Sequence, residues 1–235
     1  MNEGEFMNKK NIQLKICGIR SVDEIMELKN LNIDYFGCIF AKSPREISIE
    51  LASKITNISH RNNKKTVGVF VNEIIENIVN TVIETKIDRV QLHGNETPEY
   101  CKNLLKEIEN INKKFNIKTK LWKSFSIKNE LPNLTPYLPY IEYPLFDTKG
   151  ENKGGNGTVF DWNILKNLDS QKFILAGGLS TKNIFDALKF SPTILDVNSK
   201  VEINNRKSKQ QPNLLLLPLS RIWGQGYVQS AFERG

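Results

Sequence analysis

Lys15-Ile16-Cys17-Gly18-Ile19 is the stretch on which the fold turns. Residues 14–16 read as a short strand, a cysteine stands at its end, and Gly18 lets the backbone turn away at once. Ser21-Val22-Asp23-Glu24 then has the Ser-x-x-Glu spacing of a capping box, in which hydroxyl and carboxylate each satisfy an orphan amide at a helix start. The thiol therefore sits where a strand gives way to a helix. In repeating β/α architectures that face carries the chemistry. Taken alone, Cys17 reads better as a small buried core cysteine; the rest of the chain reverses that.

Outward from this point, short apolar or β-branched runs recur at residues 35–40, 66–71, 90–92, 120–122, 144–146, 173–175 and 193–197, which with 14–16 makes eight strands. Between most of them lie amphipathic patterns that predict helices over 21–30, 48–58, 73–85, 97–109, 161–168 and 180–189. Thr97-Pro98-Glu99 supplies a capping hydroxyl and then a proline at the first helical position, where its missing amide costs nothing. Leu131-Pro132-Asn133-Leu134-Thr135-Pro136 would break a fifth helix. Eight strands alternating with helices favour a closed parallel (β/α)8 barrel over an open doubly wound sheet. The predicted organisation is a polar extension over 1–11, the barrel over 12–203 and a divergent tail over 204–235 with no regular eighth helix, its Pro212, Pro218, Gly224 and Gly226 leaving little room for one.

The bulk numbers fit a globular protein that handles small anions. The chain has 235 residues, a formal charge of +7 and 39% apolar residues, enough to bury a large core. Lysines and arginines are scattered among acidic residues, and only Arg206-Lys207-Ser208-Lys209 resembles the basic stripe of a nucleic-acid binder. The positive excess reads better as attraction for anionic metabolites. Cys17, Cys38 and Cys101 are far apart and odd in number, which argues for a reducing, cytoplasmic setting and against disulfides and zinc. The first ten residues lack the apolar run of a signal peptide, with Met7 an alternative start, and the run Leu214-Leu215-Leu216-Leu217 is too short to span a bilayer. Neither nucleic acid nor membrane is expected as a partner.

In a parallel barrel the loops after the strands share one mouth. That gathers Cys17, then Lys42-Ser43-Pro44-Arg45, Asn72, Gln91 and His93, Asp147-Thr148-Lys149, Gly177-Gly178 and Asn198-Ser199. A thiol, a carboxylate, an arginine and two backbone-exposing turns suit proton transfer on a small anionic substrate. Gly154-Gly155-Asn156-Gly157 lacks the Lys-Ser/Thr of a P-loop and reads as a mobile lid. Gln91 and His93 line the mouth by position, with a structural hydrogen-bonding role as good a reading as substrate contact. His60 reads as a solvent-facing loop residue, Cys38 as core, and Cys101 as part of an amphipathic helix.

Eight short motifs in order, Lys-Ile-Cys-Gly-Ile, Lys-Ser-Pro-Arg, Gly-Val-Phe-Val-Asn, Val-Gln-Leu-His-Gly, Asp-Thr, Gly-Gly-Asn-Gly-Thr-Val-Phe-Asp-Trp, Ala-Gly-Gly-Leu and Asp-Val-Asn-Ser-Lys-Val-Glu, resemble phosphoribosylanthranilate isomerase over about residues 12–203. The resemblance implies an Amadori rearrangement of N-(5-phosphoribosyl)anthranilate in tryptophan biosynthesis, without metal or cofactor, by a monomer or homodimer. It places the general base on Cys17 and the general acid on Asp147. It also places the substrate carboxylate on Arg45 and the phosphate at Gly177, Gly178, Asn198 and Ser199. An ordinary aspartate is protonated in only about one molecule in a thousand at pH 7, so the acid role requires Asp147 to be raised by burial. The alternatives are another sugar-phosphate isomerase on the same fold, for which two aspartates rather than a cysteine would speak, and an anion-binding barrel impaired by its tail. Family members usually follow Val-Glu with a Gly-Lys-Lys-Asp-like turn and a closing helix; here 204–209 keeps only the basic character, as a frame change or read-through would produce. A closing helix with about four large apolar side chains contributes roughly 6–12 kcal/mol.

Overall fold

The computed structural model describes residues 12–148, 160–168, 171–180, 182–203 and 206–207. The polar extension 1–11, Lys149, the Gly154–Gly157 segment and the tail beyond Lys207 lie outside these residues.

Eight parallel strands close into a barrel in chain order: β1 (Gln13–Cys17), β2 (Tyr35–Ile39), β3 (Lys65–Phe70), β4 (Arg89–Leu92), β5 (Lys120–Ile127), β6 (Tyr143–Thr148), β7 (Ile174–Leu175) and β8 (Ile194–Val197). Closure is by β1 on β8, with Lys15 opposite Asp196 and Ile16 opposite Val197. Strand β5 runs five residues beyond its predicted end because its alternation continues. Phe125 and Ile127 face the outer core while Ser126 stands opposite Asp147 on β6.

Among the described residues five α-helices cover the outside: α1 (Val22–Leu28), α2 (Ile49–Arg61), α3 (Ile75–Thr85), α4 (Pro98–Phe115) and α5 (Ile184–Leu188). The cap of α4 follows its sequence signal, and α2 is capped in the same way. Ser48 and Thr97 each accept an amide hydrogen bond from the residue three further on, and Pro98 opens α4. At α1, Ser21 Oγ accepts from Glu24 N at 3.1 Å, but the Glu24 carboxylate reaches one residue further back than a capping box, to Arg20 N at 2.6 Å.

Three segments depart from the expected helices. Residues 161–168 form a 3-10 helix at Trp162–Asn167, not an α-helix. Asp161 caps two residues ahead, onto Asn163 N at 3.0 Å, which tightens the first turn, and the buried pair Trp162 and Leu165 eclipses at the three-residue period of that helix. The proline-rich fifth connection keeps only a short 3-10 turn at Leu138–Tyr140. After β8 a 3-10 turn at Ser199–Val201 leads into a small antiparallel pair, β9 (Glu202–Ile203) with β10 (Arg206–Lys207). The expected boundary at 203/204 thus falls inside a hairpin whose last residue, Lys207, is buried. His60 belongs to the last turn of α2 and not to a loop, and its Nε2 lies 2.9 Å from Asp88 Oδ2.

The barrel has two kinds of interior. Outside the sheet, Ile16, Ile25, Phe36, Ile55, Phe146 and Leu195 pack beneath the helices on one side, and Val82, Val90, Leu104 and Ile108 on the other. Inside, Tyr35, Val67, Trp122, Leu145, Ile174 and Ile194 fill the lumen. A polar plug lies against this layer, where Arg89 donates to Glu142 from Nε and Nη2 at 2.5 and 3.1 Å and Trp122 Nε1 donates to the same carboxylate at 2.9 Å. Leu145→Ala, which opens a void in this sealed layer, should lower stability by about 2–5 kcal/mol in urea denaturation. A loss below half a kcal/mol would show that the lumen is not close-packed.

Candidate active site

Period-two alternation in β1 sends Leu14 and Ile16 outward and Gln13, Lys15 and Cys17 into the barrel. Cys17 ends the strand, opposite Gly37 of β2, and is almost wholly buried. Its Sγ lies beside Gly37, where an added Cβ would meet it at 2.8 Å and the Lys15 Cε at 3.2 Å. Burial pushes the Cys17 thiol above its ordinary pKa, and the Lys15 ammonium pulls in the opposite direction.

Lys15, with no exposed surface, is held by two acceptors: Asp196 Oδ2 at 2.6 Å and Gln91 Oε1 at 2.8 Å. Burial alone would lower its pKa, but Asp196 and Cys17 outweigh it and leave the ammonium firmer than an ordinary lysine. The other oxygen of Asp196, Oδ1, is buried without a hydrogen-bond partner. Gln91, spent on Lys15 through its carbonyl, presents its amide nitrogen to His93 Nδ1 at 3.1 Å. His93 Nε2 in turn lies 3.5 Å from Asp147 Oδ2.

Asp147, near the end of β6, has its Oδ1 on Thr148 N at 2.8 Å. Burial, with Asp196 adding to it, raises its carboxyl to about 6, the direction the acid role requires. Gly177 makes this possible: at φ +82° it lies so close that a Cβ there would meet Asp147 Oδ1 at 2.6 Å and Thr148 N at 2.6 Å. Gly178 follows at φ +64°, its carbonyl accepting from Asn183 Nδ2 at 3.1 Å.

A second cluster caps the ends of β1, β2 and β8. Gly18, at φ +80°, gives room to the Arg45 side chain and to Asn198 Oδ1. Arg45 donates to Glu202 from Nε at 2.8 Å and Nη2 at 3.0 Å. Lys207 Nζ donates to Glu202 Oε1 at 2.8 Å, Asn198 Oδ1 at 2.9 Å and Asn198 O at 2.6 Å, while its backbone amide donates to Glu24 on α1 at 3.0 Å. Burial would raise Glu202, but Arg45 and Lys207 overcome it and hold the carboxyl at about 2. Asn198 and Ser199 follow β8, which pairs with β7, so their turn and Gly177-Gly178 flank one another.

The structure therefore brings Cys17, Asp147, Gln91, His93, Gly177, Gly178, Asn198, Ser199 and Arg45 to the ends of barrel strands, as the sequence predicts. It adds an engagement of Arg45 that was not foreseen, with one edge of its guanidinium already on Glu202. Lys15, Asp196 and Lys207 were missed. The signal for the first was available: a lysine two residues before Cys17 shares its inward face. Among the described residues no group of three or more His, Cys, Asp and Glu side chains can hold a metal ion. Cys38 and Cys101 are buried, with thiols pushed up to about 12 and about 11 by burial, and take no part in the mouth.

Comparison with known proteins agrees with this geometry. The family model described as N-(5'phosphoribosyl)anthranilate (PRA) isomerase matches residues 14–214, extending past the predicted break at 203. The N-(5'-phosphoribosyl)anthranilate isomerase of Campylobacter jejuni is 41% identical over 191 residues, covering 81% of this chain and 89% of its own. Among solved structures, the phosphoribosyl anthranilate isomerase of Thermotoga maritima superposes with a TM-score of 0.72 at 28% identity, over 88% of this chain and 98% of that one. A phosphoribosyl anthranilate isomerase in complex with reduced 1-(o-carboxyphenylamino)-1-deoxyribulose 5-phosphate gives 0.70 at 27%, over 89% and 97%. With nearly the whole barrel matched by sequence and by shape, the chain belongs to the N-(5'-phosphoribosyl)anthranilate isomerase family.

Proposed function

We propose that Cys17 and Asp147 divide the proton transfers of the reaction this chain catalyses, the isomerisation of N-(5-phosphoribosyl)anthranilate in tryptophan biosynthesis. Asp147 gives its proton to the furanose ring oxygen, and the C1–O bond breaks as the anilino nitrogen lone pair forms the Schiff base. Cys17, as thiolate, removes the proton from C2, and the electron pair moves to give an enolamine. That enol loses its hydroxyl proton and gains one at C1, which completes the ketone with no net change of protons. The observation that carries the assignment is the raised carboxyl of Asp147 across the mouth from a thiol beside an ammonium. At about 6, roughly a tenth of Asp147 is protonated at pH 7, against about one in a thousand for an ordinary aspartate.

Substrate binding follows from the same mouth. Backbone amides at Gly177-Gly178 and Asn198-Ser199 suit phosphate oxygens, as loops after the seventh and eighth strands commonly do. With the Nε side of Arg45 taken by Glu202, a substrate carboxylate meets the outer Nη1/Nη2 edge, still a planar two-donor fork. Gln91 and His93 face the reacting sugar from β4. No helix among the described residues is long and apolar enough to cross a membrane. Three free cysteines suit the reducing cytoplasm, where the chain acts as a monomer or homodimer.

The direct test is loss of phosphoribosylanthranilate fluorescence with purified protein. Cys17→Ser and Asp147→Asn should each lower kcat by about 10²-fold or more; near-normal turnover in either removes that residue from the mechanism. Arg45→Ala should chiefly raise KM, since its contact is made in ground and transition states alike, and a fall in kcat at unchanged KM would contradict the carboxylate role. The pH profile has a defined shape. The active form (Asp147 protonated, Cys17 ionised) is a tautomer of the resting form, so their ratio is independent of pH between the two pKa values. Thus kcat/KM should be flat from about 6 up to the raised pKa of the Cys17 thiol, and fall below about 6 as the enzyme takes up a second proton. An acid limb near pH 4, the ordinary carboxylate value, would show that Asp147 is not raised.

A further inference from the structure

Lys15 and Gln91 belong to a hydrogen-bonded chain that crosses the barrel, Asp196 Oδ2, Lys15 Nζ, Gln91 Oε1, Gln91 Nε2 and His93 Nδ1, beyond which His93 Nε2 faces Asp147 Oδ2 at 3.5 Å. The direction of each donor is dictated by chemistry. An ammonium has only donors, so it must face the carbonyl oxygen of Gln91. That turns the amide NH2 toward His93, whose Nδ1 must accept. A neutral imidazole that accepts at Nδ1 carries its hydrogen on Nε2, and Nε2 is the atom that faces Asp147.

The imidazole is neutral in this setting. Burial, with the ammoniums of Lys15 on β1 and Lys123 on β5, pushes His93 down to about 4, against the opposing carboxylate of Glu96 in the loop after β4. Asp147, from β6, also faces the ring, its Oδ2 3.5 Å from Nε2. Lys123 is itself held by Glu96 Oε2 at 3.1 Å and the Gly94 carbonyl at 2.9 Å, which fixes the loop that carries His93. The 3.5 Å approach of His93 Nε2 to Asp147 Oδ2 is therefore that of a neutral N–H group, longer than a formed hydrogen bond and not an ion pair. Such a donor favours the carboxylate that Asp147 becomes once it has given up its proton.

We propose that Lys15 and Gln91 are positioning residues that lock His93 in the Nε2–H tautomer, so that its N–H receives the negative charge left on Asp147 when the sugar ring opens. The inference rests on the reading of Asp147 as the acid, and its test separates the two. The chain has two histidines, so 15N-histidine labelling of a His60→Gln background isolates the His93 ring signals. Nδ1 should show a pyridine-type shift and Nε2 a pyrrole-type shift at pH 7. Gln91→Glu is nearly isosteric but presents only acceptors: one oxygen stays on Lys15 and the other must accept from His93, so the hydrogen moves to Nδ1. In that variant the two shifts should exchange and kcat should fall about 10- to 100-fold, the worth of one hydrogen bond to a charged group. A protonated Nδ1 or mixed tautomers in the parent protein would overturn the proposal without reference to activity, even if Gln91→Glu does not fold. Exchanged shifts with kcat retained would overturn the positioning role when Asp147→Asn is inactive; if Asp147→Asn also turns over normally, the acid assignment is what falls, and the tautomer lock stands.

Discussion

The pair of Lys15 with Asp196 is the contact on which the mouth depends. A lysine with no exposed surface carries a large desolvation cost, and its stability in place requires a carboxylate in contact and its remaining donors used. It joins β1 to β8 where the barrel closes, so that the seam is made by a charge pair on the inside and by hydrophobic packing on the outside. One hydrogen bond away lies Gln91, and within reach of its field lies Cys17. Remove the ammonium and the site loses a strand contact, the orientation of an amide and the positive charge beside the thiol together. Because these effects share one atom, substitutions at Lys15, Asp196 and Gln91 will not be additive.

The architecture was legible in the sequence to a large degree because hydrophobic periodicity is a local signal. Each of the eight strands appears where alternation or a short apolar run predicts it, and the cap of α4 is carried by the hydroxyl and proline that the spacing identifies. What was illegible came from competition between local options. Asp161 bonds two residues ahead and tightens a predicted α-helix into a 3-10 turn; Glu24 satisfies Arg20 and a distant lysine amide in place of its own cap. Neither choice is encoded in spacing alone.

The same division holds at the site. Cys17, Asp147 and the glycine turns lie at strand ends, a position that topology reveals. Lys15 and Asp196 lie one alternation step inside, where a charged residue in sequence is indistinguishable from one that faces solvent. Arg45 was found by its motif, but its partner Glu202 is 157 positions away and only the closed barrel brings them together. Gly177 illustrates a further kind of blindness. Its value lies in what it lacks, since the raised Asp147 carboxyl occupies the space a side chain would need.

Lys207 has a consequence for how the barrel responds to disturbance. The ammonium and backbone amide of Lys207 tie the turn after β8, the Glu202 that holds Arg45, and the Glu24 carboxylate of α1 into a single clasp. The first and last β/α units are therefore mechanically linked at the rim of the mouth, although they stand at opposite ends of the chain. Strain applied at the start of α1 is transmitted to the turn after β8 without passing through the sheet. A circular rearrangement joining the ends elsewhere would need to preserve the clasp to keep this rim of the mouth in shape.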